Sequence, residues 1–272
     1  MAEQRAPYDH RFHAGNHADV WKHVAWLSLL AAHKRERIVV LDTHAGRGGY
    51  ALPPRGGEWT MGIGRLRQRF GSASSGSGAV DRYLARTPDP CFYPGSPLLT
   101  RHALGRSDRL EACEHDPDTA AELRRTVADD PRIRVSQADG WSASLPAAPG
   151  ARTLVLCDPP FHEQADWLRM AELGQRVQEA GAVGMLWYPI KRWTRPTSLH
   201  HALRGRRVPH VAVDLLVTPI ERTGHSLAGS GVVLIGAPAS VFVELHGALP
   251  VVGQALAHHE GRWSSRSEAY AP

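Results

Sequence analysis

Cysteine, lysine and long apolar runs are all scarce in this sequence of 272 residues. Three cysteines without a Cys-x-x-Cys pair argue against a disulfide scaffold and against a structural zinc site. Residues 1–10 are polar and lack the apolar core of a signal peptide. The uncharged stretch 223–243 is broken by glycines and by Pro238, so it predicts two core strands rather than a membrane span. We therefore expect a soluble, cytoplasmic, globular protein.

Because lysine is nearly absent, arginine supplies almost all of the positive charge. Lys and Arg number 32 against 27 Asp and Glu, for a formal net charge of +5, and only three of the cations are lysines. Guanidinium groups bind phosphate through paired hydrogen bonds and stack on bases, so this composition favours an RNA partner. The alternative is that arginine richness only reflects genome base composition. The candidates for phosphate contacts are Arg65, Arg67, Arg69, Arg192 and Arg195.

Apolar runs alternate with helical stretches along most of the chain. Seven runs predict strands, at residues 37–42, 109–114, 133–139, 153–158, 183–188, 211–218 and 231–236. Amphipathic stretches predict helices at 119–127 and 165–179, and a further helix over 16–33 with Asn16 as its N-cap. Strands and helices in alternation are typical of an α/β fold with a doubly wound sheet, here of seven strands.

The first two predicted strands are unusually far apart. In doubly wound folds the second strand follows the first within about 20–30 residues, whereas here residues 51–108 intervene. We therefore expect three parts, in which 1–50 begins the core, 51–108 is a small inserted helical subdomain, and 109–272 completes the core. Within the insertion, the Gly/Ser-rich residues 71–78 predict a flexible linker.

The motif Asp158-Pro-Pro-Phe161 follows the fourth predicted strand, where open α/β sheets bind their ligands. Two prolines stiffen the backbone and remove two N–H donors, which leaves nearby carbonyls available to a ligand. The Asp158 carboxylate and the Pro159 carbonyl can accept both hydrogens of a planar amine, while Phe161 stacks on its ring. The motif therefore predicts a site that orients an exocyclic amine toward a methyl donor. The alternative is a proline-stiffened turn without chemistry.

A glycine-rich loop follows the first predicted strand. Its segment Gly46-x-Gly48-x-x-Ala51 matches a relaxed dinucleotide fingerprint, but the glycines are offset from the strand and no acid follows about 20 residues on. Acids instead close the next two strands. Glu114 can hold ribose hydroxyls, and Asp139, followed by Gly140, can accept from an adenine amine. A glycine loop, Glu, Asp-Gly and Asp-Pro-Pro in that order describe an S-adenosylmethionine site.

Three further signals have simpler interpretations. Ser96 before Pro97 predicts a helix N-cap, although the N–H groups of such a helix start could also face an anion or a cofactor. His13 and His17 have i, i+4 spacing, but no acid or Cys pattern supports a metal site, and we expect no metal. Cys157 lies within an apolar strand, which is typical of an inert core residue rather than a nucleophile.

Longer blocks of the sequence are also distinctive. They are FHAGNHADV (12–20) with KH (22–23), LDTHAG (41–46), YPGSP (93–97), ADG (138–140), DPP (158–160) and LWYP (186–189). With these blocks the sequence resembles, from about residue 8 to residue 235, the RlmJ family of 23S ribosomal RNA adenine-N6 methyltransferases. The resemblance implies a class I methyltransferase fold with a small helical insertion. It also implies an S-adenosylmethionine pocket lined by Lys22, His23, His44, Ser96, Glu114, Asp139, Gly140 and Asp158.

The resemblance further implies roles in catalysis and substrate binding. Asp158 would hold the target amine and accept its proton, Tyr8 would touch the RNA, and Pro159 and Phe161 would complete the substrate site. The family commonly has Tyr where Phe161 stands, so stacking is kept and a hydroxyl contact is lost. The Gly/Ser-rich part of the insertion is a second departure, which puts RNA contacts there in question.

The expected activity is methyl transfer from S-adenosylmethionine to N6 of one adenine in 23S ribosomal RNA, by a monomer that flips the base out of its stack. A DNA adenine methyltransferase would use the same pocket, and basicity alone would also suit a non-catalytic nucleic-acid-binding protein. A nicotinamide-dependent oxidoreductase is disfavoured by Asp158-Pro-Pro-Phe161 and by the offset glycines.

Overall fold

A computed structural model describes residues 10–224, 226–258 and 261–272. The strands are β1 (Ile38–Asp42), β2 (Gly49–Ala51), β3 (Phe92–Pro94), β4 (Arg109–Glu114), β5 (Ile133–Gln137), β6 (Arg152–Cys157), β7 (Val183–Ile190), β8 (His210–Leu216), β9 (Gly229–Ile235) and β10 (Ser264–Tyr270). The α-helices are α1 (His10–His13), α2 (His17–Ala32), α3 (Ile63–Phe70), α4 (Gly78–Arg86), α5 (Ser96–Arg101), α6 (Pro117–Thr126), α7 (Asp166–Glu179), α8 (Thr194–Gly205) and α9 (Ala239–Leu256). Short 3-10 helices occupy Glu58–Met61 and Ile220–Arg222.

The central sheet has eight strands in the order β10-β8-β9-β7-β6-β1-β4-β5. Five neighbouring strands, in the sheet order β7-β6-β1-β4-β5, run parallel to one another. Strand β9 is antiparallel to both β7 and β8. All seven predicted strands are confirmed. The order reverses at β1, which lies between β4 and β6, and at such a switch point neighbouring loops diverge and leave a crevice.

The eighth strand, β10, corrects the predicted count of seven. It pairs antiparallel with β8 at the edge of the sheet, and most of its residues are exposed. A polar edge strand has no alternating apolar pattern, so hydrophobic periodicity could not predict it.

The uncharged stretch 223–243 forms one core strand rather than the two that we predicted. It contributes β9, and Pro238 then caps the start of α9. By length and composition α9 could span a membrane, but this is weak evidence, because buried helices of globular cores meet the same criteria. Eight of its residues are buried, and it packs on α2, α3, α4 and β8.

The two ends of the segment 52–91 lie next to each other, because the flanking strands β2 and β3 pair antiparallel. Between these strands, α3 and α4 pack on α9, and α4 also packs on α2. The predicted flexible linker 71–78 is a turn held by Asp81, whose carboxylate accepts from the Ser74 hydroxyl at 2.6 Å and the Ser75 backbone N–H at 2.7 Å.

Two arginines that we predicted to bind phosphate form hydrogen bonds to backbone carbonyls within the protein instead. Arg65 donates to the Ala257 carbonyl at 2.7 Å, just beyond the last residue of α9. Arg67 donates through two nitrogens to the Thr87 carbonyl, at 2.7 and 3.2 Å. Both carbonyls belong to residues at the C-terminus of a helix, where backbone oxygens have no partner within the helix, and the guanidinium groups supply the missing hydrogen bonds. Both are therefore removed from the candidates for phosphate contacts.

Helix α2 lies against the sheet and is almost entirely enclosed, with 13 of its 16 residues buried. Asn16 is its N-cap, as predicted, and accepts from the backbone N–H groups of Ala18 and Asp19. Its neighbours include α4, α5, α9, β7 and β9. A helix fixed on so many sides places the side chains of its first two turns with little freedom, and these include Lys22 and His23.

Candidate active site

A cleft of about 1190 Å³ opens where the loops after β1, β4, β5, β6 and β7 meet. Tyr8 lies outside the described residues, so its predicted RNA contact has no structural counterpart. The cleft also has lining residues that sequence reasoning did not single out, among them Asp19, Trp141, Arg169 and Trp187. The predicted site residues that line it are Lys22, His23, His44, Ser96, Glu114, Asp139, Gly140, Asp158, Pro159 and Phe161.

The Asp158 carboxylate is paired with Lys22. Lys22 Nζ lies 2.5 Å from Asp158 Oδ2 and 2.7 Å from Asp19 Oδ1, and the lysine is only 4% exposed. Burial lowers the pKa of Lys22, but the charges of Asp158 and then Asp19 more than compensate and hold that pKa above its usual range. Lys22 is therefore an ammonium ion at neutral pH, and it fixes one oxygen of Asp158.

The glycine loop after β1 is held against the end of β4. Glu114 Oε2 accepts from the Gly46 backbone N–H at 2.9 Å, and Oε1 accepts from the Asp116 N–H at 2.9 Å. Gly46 has φ +63°, a conformation that favours glycine. Each carboxylate oxygen has a second lone pair, so Glu114 can still accept from hydroxyl groups of a ligand.

Gly140 allows the end of β5 to approach the end of β1. A Cβ atom at this position would lie 1.8 Å from the Thr43 carbonyl oxygen, which leaves no room for any side chain. Its neighbour Asp139 lines the cleft and accepts from the Trp141 backbone N–H at 3.1 Å. The glycine therefore shapes the cleft wall through backbone packing rather than through a polar group of its own.

Ser96 is not the N-cap that we predicted. Helix α5 begins at Ser96, with Gly95 as its N-cap, and the Ser96 hydroxyl instead donates to Asp42 Oδ2 at 2.7 Å. Asp42 is fully buried at the end of β1, and burial raises the pKa of its carboxyl to about 7. The serine is thereby oriented by an acid far away in sequence, which local capping rules could not reveal.

Two histidines at the cleft are embedded in aromatic contacts. The His44 ring meets Trp141 edge to face at 4.8 Å, and burial lowers the pKa of His44 to about 4, so its imidazole is neutral at pH 7. His23 Nδ1 lies 2.7 Å from the Tyr93 hydroxyl, which in turn lies 3.1 Å from the Tyr83 hydroxyl of α4. His44 is therefore a neutral packing group of the wall, and His23 is held by the Tyr93 hydroxyl.

Phe161 adopts a backbone conformation that is rare for a bulky residue. Its φ is +53°, and such a conformation costs on the order of 1–3 kcal/mol. Its ring lies 4.5 Å from that of Trp167 and 6.0 Å from that of Trp187. Strain of this kind persists where surrounding packing enforces it, and here it presents an aromatic ring to the cleft beside Asp158.

The chemistry of the remaining candidates follows from burial. Cys157 is fully buried, and burial raises the pKa of its thiol above the usual range, which suits the core residue that we predicted. Within residues 10–224, 226–258 and 261–272, no group of three or more His, Cys, Asp or Glu side chains is arranged to hold a metal ion. Among the groups described above, the cleft offers carboxylate acceptors, the Lys22 ammonium ion and the neutral imidazole of His44.

The hydrogen-bond acceptors that line the crevice fit a bound nucleoside. Glu114 has lone pairs for ribose hydroxyls, Asp139 follows on the next strand to accept from an adenine amine, and Gly140 keeps that part of the wall flat. Asp158 lies across the crevice, where the far end of such a cofactor would meet a substrate. The cleft therefore suits S-adenosylmethionine, whose sulfonium supplies an electrophilic methyl group when it is bound.

Several known proteins are similar to this chain. The ribosomal RNA large subunit methyltransferase J of Escherichia coli (strain K12) is 31% identical over 257 residues, which cover 89% of this chain and 91% of that protein. The methyltransferase of the same name from Haemophilus influenzae is 28% identical over 278 residues, which cover 94% of this chain and 96% of that protein. The crystal structure of protein LPL1258 from Legionella pneumophila has a TM-score of 0.84 at 25% identity, with coverage of 94% and 98%.

Fold, strand order and cleft together define a class I S-adenosylmethionine-dependent methyltransferase. The family model for ribosomal RNA large subunit methyltransferase D, RlmJ, matches residues 35–267. The chain therefore belongs to the RlmJ family of ribosomal RNA methyltransferases, which confirms the resemblance seen in the sequence.

Proposed function

We propose that this enzyme transfers the methyl group of S-adenosylmethionine to N6 of one adenine in 23S ribosomal RNA. The observation that carries the proposal is the position of the Asp158-Pro-Pro-Phe161 motif at the cleft. Lys22 is bonded to one carboxylate oxygen of Asp158, and the Phe161 ring also lines the cleft and packs on Trp167. The names of the Escherichia coli and Haemophilus influenzae relatives support a ribosomal RNA substrate.

Asp158 and Pro159 orient the amine. Lys22 holds Oδ2 of Asp158, so we assign one N6 hydrogen to Oδ1, the oxygen that the lysine does not hold, and the other to the Pro159 carbonyl. These bonds hold the amine nitrogen with its lone pair toward the methyl carbon. The nitrogen–carbon bond forms as the carbon–sulfur bond breaks, and the extra proton of the methylated amine passes to Asp158 and then to water.

Phe161 and Trp187 present the aromatic surface that receives the base. An adenine inside a helix cannot reach the cleft, so the nucleotide is flipped out and stacks on Phe161. Stacking of a base on an aromatic side chain contributes roughly 1–3 kcal/mol. Trp167 supports the strained Phe161 ring from behind at 4.5 Å.

The RNA backbone follows exposed cations. Lys191 lines the cleft and is exposed, and Arg192 and Arg195, which follow it in the sequence, are also exposed. Arg69 on α3 is also exposed. We assign phosphate contacts to these four residues and a further RNA contact to Tyr8. Action as a monomer in the cytoplasm, and residues 51–108 as a functional unit beside the core parts 1–50 and 109–272, belong to the same proposal.

The test is mass spectrometry of ribosomal RNA from cells with and without this protein. We expect one N6-methyladenine of 23S ribosomal RNA to disappear without the protein and to return when it is supplied. Purified protein is then offered protein-free 23S ribosomal RNA and adenine-containing DNA side by side. Methylation of DNA alone would identify a DNA methyltransferase, and RNA binding without methyl incorporation would identify a non-catalytic binding protein; either result overturns the proposal.

A further inference from the structure

A second buried carboxylate lies behind the Asp158–Lys22 pair. Asp19 is 4% exposed, and its Oδ1 accepts from Lys22 Nζ at 2.7 Å. Its Oδ2 accepts from the Gly15 backbone N–H at 2.9 Å, in the turn that Asn16 caps. The Asp19 carboxylate is thus fixed by the backbone at the start of α2, and two carboxylates, those of Asp19 and Asp158, clamp the Lys22 ammonium.

The three side chains of this clamp contribute a net formal charge to the part of the cleft that they line. Asp19, Lys22 and Asp158 carry formal charges of −1, +1 and −1, which leave one net negative charge. Without Asp19, the Lys22 ammonium would cancel the Asp158 carboxylate completely. At the mouth of the cleft Arg169 lies 3.1 Å from Asp166 and 2.9 Å from Glu163, so its charge is compensated locally.

Methyl transfer moves a positive charge through this region. A bound sulfonium would be a cation, and transfer of its methyl carbon to the amine nitrogen would leave a neutral thioether. The nitrogen carries the positive charge until its proton leaves. A wall with one net negative charge stabilises both cationic species relative to the thioether product, whereas a neutral wall does so far less.

We propose that Asp19 is a positioning residue of the methyl-transfer site, which holds Lys22 against Asp158 and keeps the wall net negative, so that the cleft prefers the sulfonium cofactor over its thioether product. The inference rests on the proposed function only in taking Asp158 as the residue that holds the amine. Preference between the two cofactor forms requires no RNA, so it can be measured separately from the activity.

The experiment compares the dissociation constants of S-adenosylmethionine and S-adenosylhomocysteine by calorimetry for wild type and Asp19→Asn. We expect the preference for the sulfonium form to fall on the order of tenfold in the variant, the size expected for a unit charge several ångströms away in a partly hydrated site. A merely structural defect would weaken both ligands equally. Asp108→Asn is the matched control, because Asp108 is a buried acid that accepts from the Ile38 and Gly105 N–H groups outside the cleft.

A second variant, which changes the charge of the cluster in the opposite direction, tests the inference if Asp19→Asn fails to fold. Lys22→Met removes the cation and leaves both acids, so the preference should shift toward the sulfonium form at pH 8. An unchanged preference in a folded Asp19→Asn protein, or a shift in the same direction for both variants, overturns the inference. Loss of methyl transfer in Asp158→Asn with these preferences unmoved would contradict the charge argument while leaving the proposed function standing.

Discussion

The proposed role of Asp158 predicts a large loss of activity from a small change in structure. Asp158→Asn keeps the size of the side chain but removes its charge, and its amide is a weaker acceptor for the amine hydrogens. General-base and orienting groups of this kind contribute roughly 10²–10⁴-fold to rate. We therefore expect the single-turnover rate of methyl transfer to 23S ribosomal RNA to fall by at least about 100-fold.

The fold should survive the same change. The carboxylate is 18% exposed, and Lys22 keeps its bond to Asp19, so the loss is one charge-assisted hydrogen bond, about 1.5–3 kcal/mol. For 272 residues the unfolding entropy is roughly 0.6 kcal/mol per degree, so the melting temperature should fall by about 3–5 °C.

The assay follows labelled methyl incorporation at saturating S-adenosylmethionine, beside a thermal melt of the same preparation. Saturation matters because the variant also loses a negative charge and is expected to bind the cofactor more weakly. A folded Asp158→Asn enzyme that retains a rate within about threefold of wild type would refute the assigned role.

Three further predictions concern other parts of the site. Phe161→Ala should weaken binding of substrate RNA by about 5–150-fold, the size of one base-stacking contact, and change the affinity for the cofactor much less, as parallel titrations would show. Gly140→Ala should abolish cofactor binding in a titration, because its methyl group would collide with the Thr43 carbonyl, whereas Gly247→Ala on an exposed, open face of α9 should raise stability by about 0.5–1 kcal/mol. The protonated form of Asp42 favours the folded state below about pH 4, and this advantage is lost as pH rises through its pKa of about 7, so Asp42→Asn should match wild type near pH 4 and exceed it at pH 8 by up to about 4 kcal/mol in urea unfolding.

The parts of the fold that sequence predicts are those encoded by local pattern. Strands β1, β6, β7, β8 and β9 are mostly buried apolar runs next to turn residues, and Asn16 lies directly before an apolar stripe, so short windows of sequence were enough to predict them. Edge strand β10 and helix α9 escaped notice for physical reasons. The first is polar because it borders the sheet, and the second contains Pro250 within its span.

The site shows the same division between local and distant signals. Strand-end acids and the Asp158-Pro-Pro-Phe161 motif are visible because their chemistry is concentrated in a few consecutive letters. The partner of Ser96 lies 54 residues away, and that of Lys22 lies 136 residues away. Asp19 and Trp187 stood within blocks that resemble the family, yet nothing in those letters shows that they face the cleft.

Residues 52–91 are joined to the cleft through the Tyr83–Tyr93–His23 series of hydrogen bonds. A chimaera that exchanges this segment for that of a relative would alter the partner of Tyr93 and, through it, the environment of the imidazole. Redesign of the segment is therefore not independent of the cleft. It has to preserve a phenol at position 83, or the hydrogen bonding of Tyr93, and with it the environment of the His23 imidazole, will change.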